Sequence, residues 1–244
     1  MIVADQPTHF PDDILVRVSS KRDGTLLDRT IDTHDVSIVE RRRAFCAVNG
    51  VDYATVAYQT IVYGDDQTYN NVTVVGMNDT TTHVYGVKGD ALFTKESGVG
   101  LFLPVADCVA TVVYDPKQRY LAMLHLGRHS TLTDLIPKVL SHFVDEGSDP
   151  KDLLVWMSPH AQRDSYRLEW FDRENDERWQ GYFDKREDGY YLDMAGYNTQ
   201  RFIETGVVSS NIVASPVDTL RDDNYFSHAQ GDVTGRIAVL AIMR

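Results

Sequence analysis

Three apolar runs, the first two with β-branched residues, stand almost end to end between Gly100 and Leu126, and they leave this stretch little option but a set of neighbouring strands. They are Leu101 to Asp107, Ala110 to Tyr114 and Tyr120 to Leu126. Asp115-Pro116-Lys117-Gln118 is a turn signal between the second and third, so these two form a hairpin. That hairpin returns His125 towards Cys108, seventeen positions earlier in the chain. A thiol and an imidazole within a few ångströms have two uses. They can share a zinc ion, or the imidazole can deprotonate the thiol to make a nucleophile.

The remaining segments supply a mixed fold. Ile14 to Val18 reads as a strand, and residues 35–48 as a helix whose core side is Val36, Val39, Phe45 and Val48. Arg41-Arg42-Arg43 within it then belong to a solvated face, since charged residues are seldom buried without partners. Val56 to Tyr63 and Val72 to Met77 flank a polar loop and suggest a hairpin with a long connection. Leu132, Leu135, Ile136, Val139, Leu140 and Phe143 recur at helical spacing, with the regular helix starting near Leu135 or bending at Pro137. Residues 167–189, charged and carrying Trp170, Phe171 and Trp179, suggest an amphipathic helix. Asp193 suits the N-cap of a helix that Gly206 ends. Leu153 to Met157, Asn211 to Ala214 and Arg236 to Met243 are further strands. Adjacent strands broken by helices, without strict βαβ alternation, indicate an α+β sandwich, read as one domain over residues 1–244.

A net charge of −12 disfavours nucleic acid and anionic membranes as partners, while leaving room for a local basic pocket that takes one small anion. No apolar stretch approaches the roughly 20 residues of a membrane span. The N-terminal residues lack the basic-then-apolar layout of a signal peptide, and Cys46 and Cys108 are the only cysteines. A cytoplasmic protein with free thiols is the expectation.

The motifs resemble the laccase-domain family, also called the polyphenol oxidoreductase or YfiH-like family. Its pattern is met here by Ala106-Asp107-Cys108, His125-Leu126-Gly127-Arg128-His129-Ser130, Phe226-Ser227-His228 and Thr234-Gly235-Arg236. Gly89-Asp90-Ala91-Leu92-Phe93-Thr94 and the stretch from Asp193 to Gly206-Val207 extend the match over most of the chain from about Glu40 onwards. The resemblance implies an α/β/β/α sandwich, also the fold type of the cytotoxic necrotizing factor catalytic domain. It further implies zinc bound by two histidines and a cysteine, and purine nucleoside phosphorolysis, with adenosine deamination or copper-dependent phenol oxidation as other activities of the family. Cys108 and His125 fall on two metal-ligand positions. The stretch Gln59-Thr60-Ile61-Val62 has no histidine where the family has its first ligand, and His83, His129, His228 and Asp65 are candidates to replace it. The family's Trp-Arg becomes Arg128-His129, and its later Cys-Thr becomes Asp218-Thr219.

The expected catalytic residues are Asp107, Cys108 and His125. Asp107 either orients His125 or a water, or caps the strand end. Arg128 and His129, just before a helix starting at Ser130 and Thr131, are where phosphate is expected, the alternative being a surface charge and a helix-entry residue. Arg236 pairs with a carboxylate or lines the pocket. Tyr63, Tyr69 and Asp65-Asp66 either serve a ligand or reflect turn chemistry alone. The leading expectation is a zinc-dependent enzyme of the purine nucleoside phosphorylase type, using a purine nucleoside and phosphate. The alternatives are a metal-free Cys-His hydrolase or deamidase, a non-catalytic nucleotide- or partner-binding protein, and a copper-dependent polyphenol oxidoreductase.

Overall fold

The structure is a computed structural model and describes residues 1–61 and 71–244. In chain order its strands and helices are β1 (Ile14–Val18), α1 (Val36–Val48), β2 (Val56–Thr60), β3 (Val72–Val74), β4 (Val87–Lys88), β5 (Ala91–Thr94), β6 (Gly100–Val105), β7 (Val109–Asp115) and β8 (Tyr120–Leu126). There follow α2 (Arg128–Leu132), α3 (Leu135–Asp145), β9 (Leu154–Met157), β10 (Arg167–Leu168), β11 (Phe183–Arg186), β12 (Gly189–Leu192), α4 (Met194–Glu204), β13 (Ile212–Ala214) and β14 (Ile237–Met243). One sheet runs β1-β14-β6-β2-β4 and a second runs β13-β9-β7-β8-β5-β3. β10, β12 and β11 form a small third sheet.

The two large sheets face each other. Alternation along the strands sends Leu101, Leu103, Val239 and Ala241 from one sheet, and Val112, Leu121, Met123 and Trp156 from the other, into a shared apolar layer. The opposite face of the second sheet, through Phe93, Val113, Leu124 and Val155, packs on α3 and α4. The opposite face of the first sheet, through Leu15, Phe102 and Leu240, packs on Phe45 and Cys46 of α1. This is the mixed α/β/β/α sandwich expected from the motifs. α3 buries Leu135, Ile136, Val139, Leu140 and Phe143, and Pro137 sits in its first turn, where a missing N–H costs nothing.

Three local expectations are corrected. β2 and β3 do not form a hairpin: β2 lies parallel to β6 and β4, and β3 parallel to β5 in the other sheet. Residues 167–189 form no α-helix but the antiparallel pairs β10/β12 and β11/β12, with Gly189 at φ 145° in the turn, a conformation that L side chains rarely adopt. In α1 the buried face is Ile38, Arg42, Phe45 and Cys46, while Val36 and Val48 are exposed. Arg42 is therefore no solvated charge. Its Nε donates to the Leu26 carbonyl at 2.7 Å, its Nη2 to the Tyr58 hydroxyl at 3.1 Å, and its guanidinium lies over the Tyr58 ring. The regular helix after β8 does start at Leu135, as one of the two expected alternatives had it, and a short helix precedes it. α2 ends at Leu132, and Asp134 takes a left-handed φ of 58° before α3 begins.

Among the described residues no helix is long and apolar enough to cross a membrane. The orientation of α3 makes a direct prediction. Phe143→Ala, which empties a fully buried site in edge-to-face contact with Phe93 at 5.0 Å, should lower the unfolding free energy by about 3–5 kcal/mol. The adjacent exposed Val144→Ala should change it by less than about 0.5 kcal/mol. Urea titration of the two variants checks the pair.

Candidate active site

The antiparallel register of β7 and β8 sets Ala110 opposite His125 and Val109 opposite Leu126. His125 has the same parity as Leu121 and Met123, so its ring turns into the space between the sheets, at the end of the strand where that space opens. Cys108, immediately before β7, reaches the same place from the neighbouring strand and is only partly buried. Its sulfur lies near the imidazole, close enough to raise its proton affinity.

Gly127 shows which ring nitrogen is involved. A Cβ there would lie 3.0 Å from His125 Cε1, 3.2 Å from Cys108 Sγ and 3.3 Å from His125 Nε2. Sulfur and Nε2 thus gather around one point, which a side chain at Gly127 would crowd. The other nitrogen, Nδ1, donates to Asp90 Oδ1 at 3.3 Å, and the His125 backbone N–H donates to the Asp90 carbonyl at 2.8 Å. Asp90 is buried and sits just before β5, the strand paired with β8. A Cys-His-Asp line results: sulfur, Nε2, Nδ1, carboxylate.

Burial alone would make it hard to charge His125. The negative charge of Cys108 and the carboxylate of Asp90 outweigh that penalty, and the imidazole is held up to about 9, well above an ordinary histidine. Cys46 is the contrasting thiol. Fully buried behind α1, it is pushed up to about 12 by desolvation and is chemically inert by comparison.

Asp107 does not orient His125. With a left-handed φ of 69° it turns its carboxylate towards the C-terminal loops. Oδ1 accepts from the Thr219 hydroxyl at 2.7 Å, and Oδ2 accepts from the Ser227 hydroxyl at 3.2 Å and the Ala229 N–H at 2.8 Å. Its carbonyl accepts from the Ala161 N–H at 3.0 Å. Asp107 is a clamp that ties three loops beside Cys108. Ser130 secures the other side, its hydroxyl donating to the His125 carbonyl at 2.6 Å and accepting from the Gly127 N–H at 3.0 Å.

The pair opens into a cleft of about 670 Å³, within the range of small-molecule sites. Residues 27–33 form one wall, residues 166–168 another, and Arg29, Arg128, Arg236 and His228 contribute to the lining. Arg128 lies over the exposed Trp170 ring at 5.8 Å, and His129 is exposed at the cleft. Arg236 is buried, with Nη1 donating to the carbonyls of Asp232 and Gly235.

The donor set does not suit zinc or copper. Among the described residues no three of His, Cys, Asp and Glu are placed to hold a metal ion. Cys108 and His125 are together, but Asp90 is engaged at His125 Nδ1, and His83, His129 and His228 are exposed side chains that join no such group. Two protein donors fall short of the three that catalytic zinc sites use. The expected zinc or copper cofactor, and the metal-dependent phosphorylase and oxidase readings with it, are therefore corrected. Tyr63, Asp65, Asp66 and Tyr69 lie outside the described residues.

Comparison with known proteins places this geometry in a family. Residues 25–244 match the family described as multi-copper polyphenol oxidoreductase laccase. A purine nucleoside phosphorylase of Bacteroides thetaiotaomicron is 27% identical over 157 residues, covering 61% of this chain and 58% of that protein. A purine nucleoside phosphorylase of Corynebacterium glutamicum is 26% identical over 181 residues, covering 73% and 72%. The chain thus matches less than two thirds of the length of the first of these relatives. In fold it is similar to the crystal structure of the Bacillus licheniformis hypothetical protein YfiH, with a TM-score of 0.84 at 18% identity over 95% of this chain and 93% of the other.

The raised His125 proton affinity has a sign that can be checked. An imidazole near 9 when folded and near 6.5 when unfolded stabilises the fold fully below about pH 6.5. That contribution is lost as pH rises through about 9. The urea midpoint of the wild type should fall across this window, whereas His125→Gln should show a flatter profile; parallel profiles would show that the histidine does not carry the linkage.

Proposed function

We propose, from the premise that the chain belongs to the multi-copper polyphenol oxidoreductase laccase family, that it acts as a metal-independent thiol hydrolase of amide-type bonds in a small molecule. The observation that carries this reading is the Cys108–His125–Asp90 line at the floor of an open cleft. His125 Nε2 holds the proton that the thiol has given up, and the Asp90 carboxylate steadies the imidazolium through Nδ1. The sulfur then attacks the carbonyl carbon; a C–S bond forms and the π pair moves to oxygen. Collapse breaks the C–N bond, and His125 returns its proton to the departing amine. Water, deprotonated by the same imidazole, hydrolyses the thioester and regenerates the thiol.

In this reading Cys108 is the nucleophile, His125 the general base and acid, and Asp90 and Asp107 positioning residues. Arg128, aided by His129 at the rim, contacts the polar or anionic end of the substrate. The cavity volume suits a ligand of nucleoside size, the class named in the relatives' descriptions.

The reading is tested on protein exhaustively treated with chelator and exposed to p-nitrophenyl acetate. A burst of about one nitrophenol per chain is expected, with the acetyl group found by mass spectrometry on Cys108 and not on Cys46. Cys108→Ala should abolish the burst, and His125→Ala should slow it by on the order of 10²-fold or more. Loss of the burst on chelation with recovery on adding zinc would overturn the metal-independent assignment.

A further inference from the structure

A thiol hydrolase must do more than generate a nucleophile. When sulfur adds to a carbonyl the oxygen becomes an anion, and in a site shielded from water a fixed hydrogen-bond donor aimed at that oxygen is commonly the largest source of rate. Backbone donors near Cys108 are partly committed, the Gly127 N–H being spent on the Ser130 hydroxyl. One side-chain donor that lines the same cleft as the sulfur is uncommitted.

Tyr166 lines the same cleft as Cys108 and His125. Its phenol lies within electrostatic reach of Cys108, Arg128 and Asp107. Its backbone is held at both polar groups: the N–H donates to the Gln162 carbonyl at 2.9 Å, and its carbonyl accepts from the Leu192 N–H at 3.1 Å. The turn before it is fastened to the loops that Asp107 clamps. Ala161 donates to the Asp107 carbonyl, Gln162 N–H donates to Asp218 Oδ1 at 3.3 Å, and the Ser165 hydroxyl donates to Asp218 Oδ2. Tyr166 is thus tied to the residue next to the nucleophile by a short path of hydrogen bonds. Its hydroxyl, however, makes no hydrogen bond among the described residues.

A half-buried phenol anchored in this way and left with an unspent proton has a plain structural alternative, which is that its ring merely packs against the apolar cluster under β10 and β12. Packing needs the ring and not the oxygen. Burial and the nearby negative charge of Cys108 push the phenol up to about 12, so it keeps its proton throughout the neutral range and can only donate to an anion placed beside it. Arg128, close enough to act on the phenol, reinforces attraction for that anion.

We propose that Tyr166 is a further catalytic residue, donating a hydrogen bond to the carbonyl-derived oxyanion formed when Cys108 adds to the substrate. This rests on the thiol-hydrolase reading. The step leaves the phenol's O–H bond intact: the C–S bond forms, the carbonyl π pair settles on oxygen, and that oxygen accepts from the Tyr166 hydroxyl until the C=O bond is restored.

Two reagents that share one thiol separate this role from any other. Acylation by p-nitrophenyl acetate passes through an oxyanion, whereas alkylation by iodoacetamide displaces iodide and forms none. In Tyr166→Phe, which keeps the ring, the acylation rate of Cys108 should fall by on the order of 10²-fold while its alkylation rate stays within about twofold of wild type. The alkylation rate also reports that the variant is folded and its thiol intact. Equal loss of both rates would make Tyr166 a residue that acts on the sulfur, and no loss of either would make it a packing residue; both results overturn the proposal. Failure of the thiol-hydrolase reading looks different, because wild-type Cys108 would then show no acetylation at all.

Discussion

The hydrogen bond from His125 Nδ1 to the buried Asp90 carboxylate is the contact on which the rest of the site depends. It joins two antiparallel strands, β5 and β8, through side chains as well as backbone, and it fixes which imidazole nitrogen is left to meet sulfur. Burial alone would drive the imidazole to its neutral form, and the negative charge of Cys108 is the largest effect that opposes it, with the Asp90 carboxylate next. Together the two sustain the imidazolium in a place that desolvation alone would forbid. A one-residue slip in β8 would carry His125 to the face that packs on α3 and α4, so the hairpin register is as much a part of the site as the titrating groups.

Around that contact the fold works by restraint. Asp107 ties the loops carrying Ala161, Thr219 and Ser227 to the residue before the nucleophile, and Ser130 ties the exit of β8 to the start of α2. Gly127 leaves the space in which sulfur and Nε2 meet. The outcome is a cleft lined partly by arginines in a chain of net charge −12, which favours polar or anionic ligands there while the surface at large repels polyanions.

How far the sequence shows this depends on the range of the interactions concerned. The Cys108 and His125 placement was legible because a hairpin is local: a turn signal and two apolar runs suffice to bring them together. Asp90 belongs to the Gly89-Asp90-Ala91-Leu92-Phe93-Thr94 motif, but its partner is set by the pairing of β5 with β8, and a lone carboxylate before a strand does not announce that. Tyr166 was hidden more deeply, in the lead-in to a charged, aromatic stretch whose pattern suggests an amphipathic helix, although its residues pair as short strands. The same difficulty affects β2 and β3, close in the chain yet in different sheets because each finds a parallel partner elsewhere. The burial of Arg42 is not legible in the sequence, because it depends on the Leu26 carbonyl and the Tyr58 ring, neither of which helical spacing reveals. No spacing in the sequence marks a third metal ligand, and although His129 and His228 line the cleft, folding gathers no third donor with the pair among the described residues.

The central claim is that His125 serves Cys108 as a proton-bearing partner supported by Asp90, with no metal between them. Nitrogen-15 NMR of the histidine rings in chelator-treated protein tests it most directly. Both His125 nitrogens should carry protons at pH 7.5 and titrate near 9, and in Asp90→Asn the titration should move towards the ordinary value near 6.5. A neutral imidazole at pH 7.5 whose Nε2 resonance shifts on adding one equivalent of zinc would contradict the account.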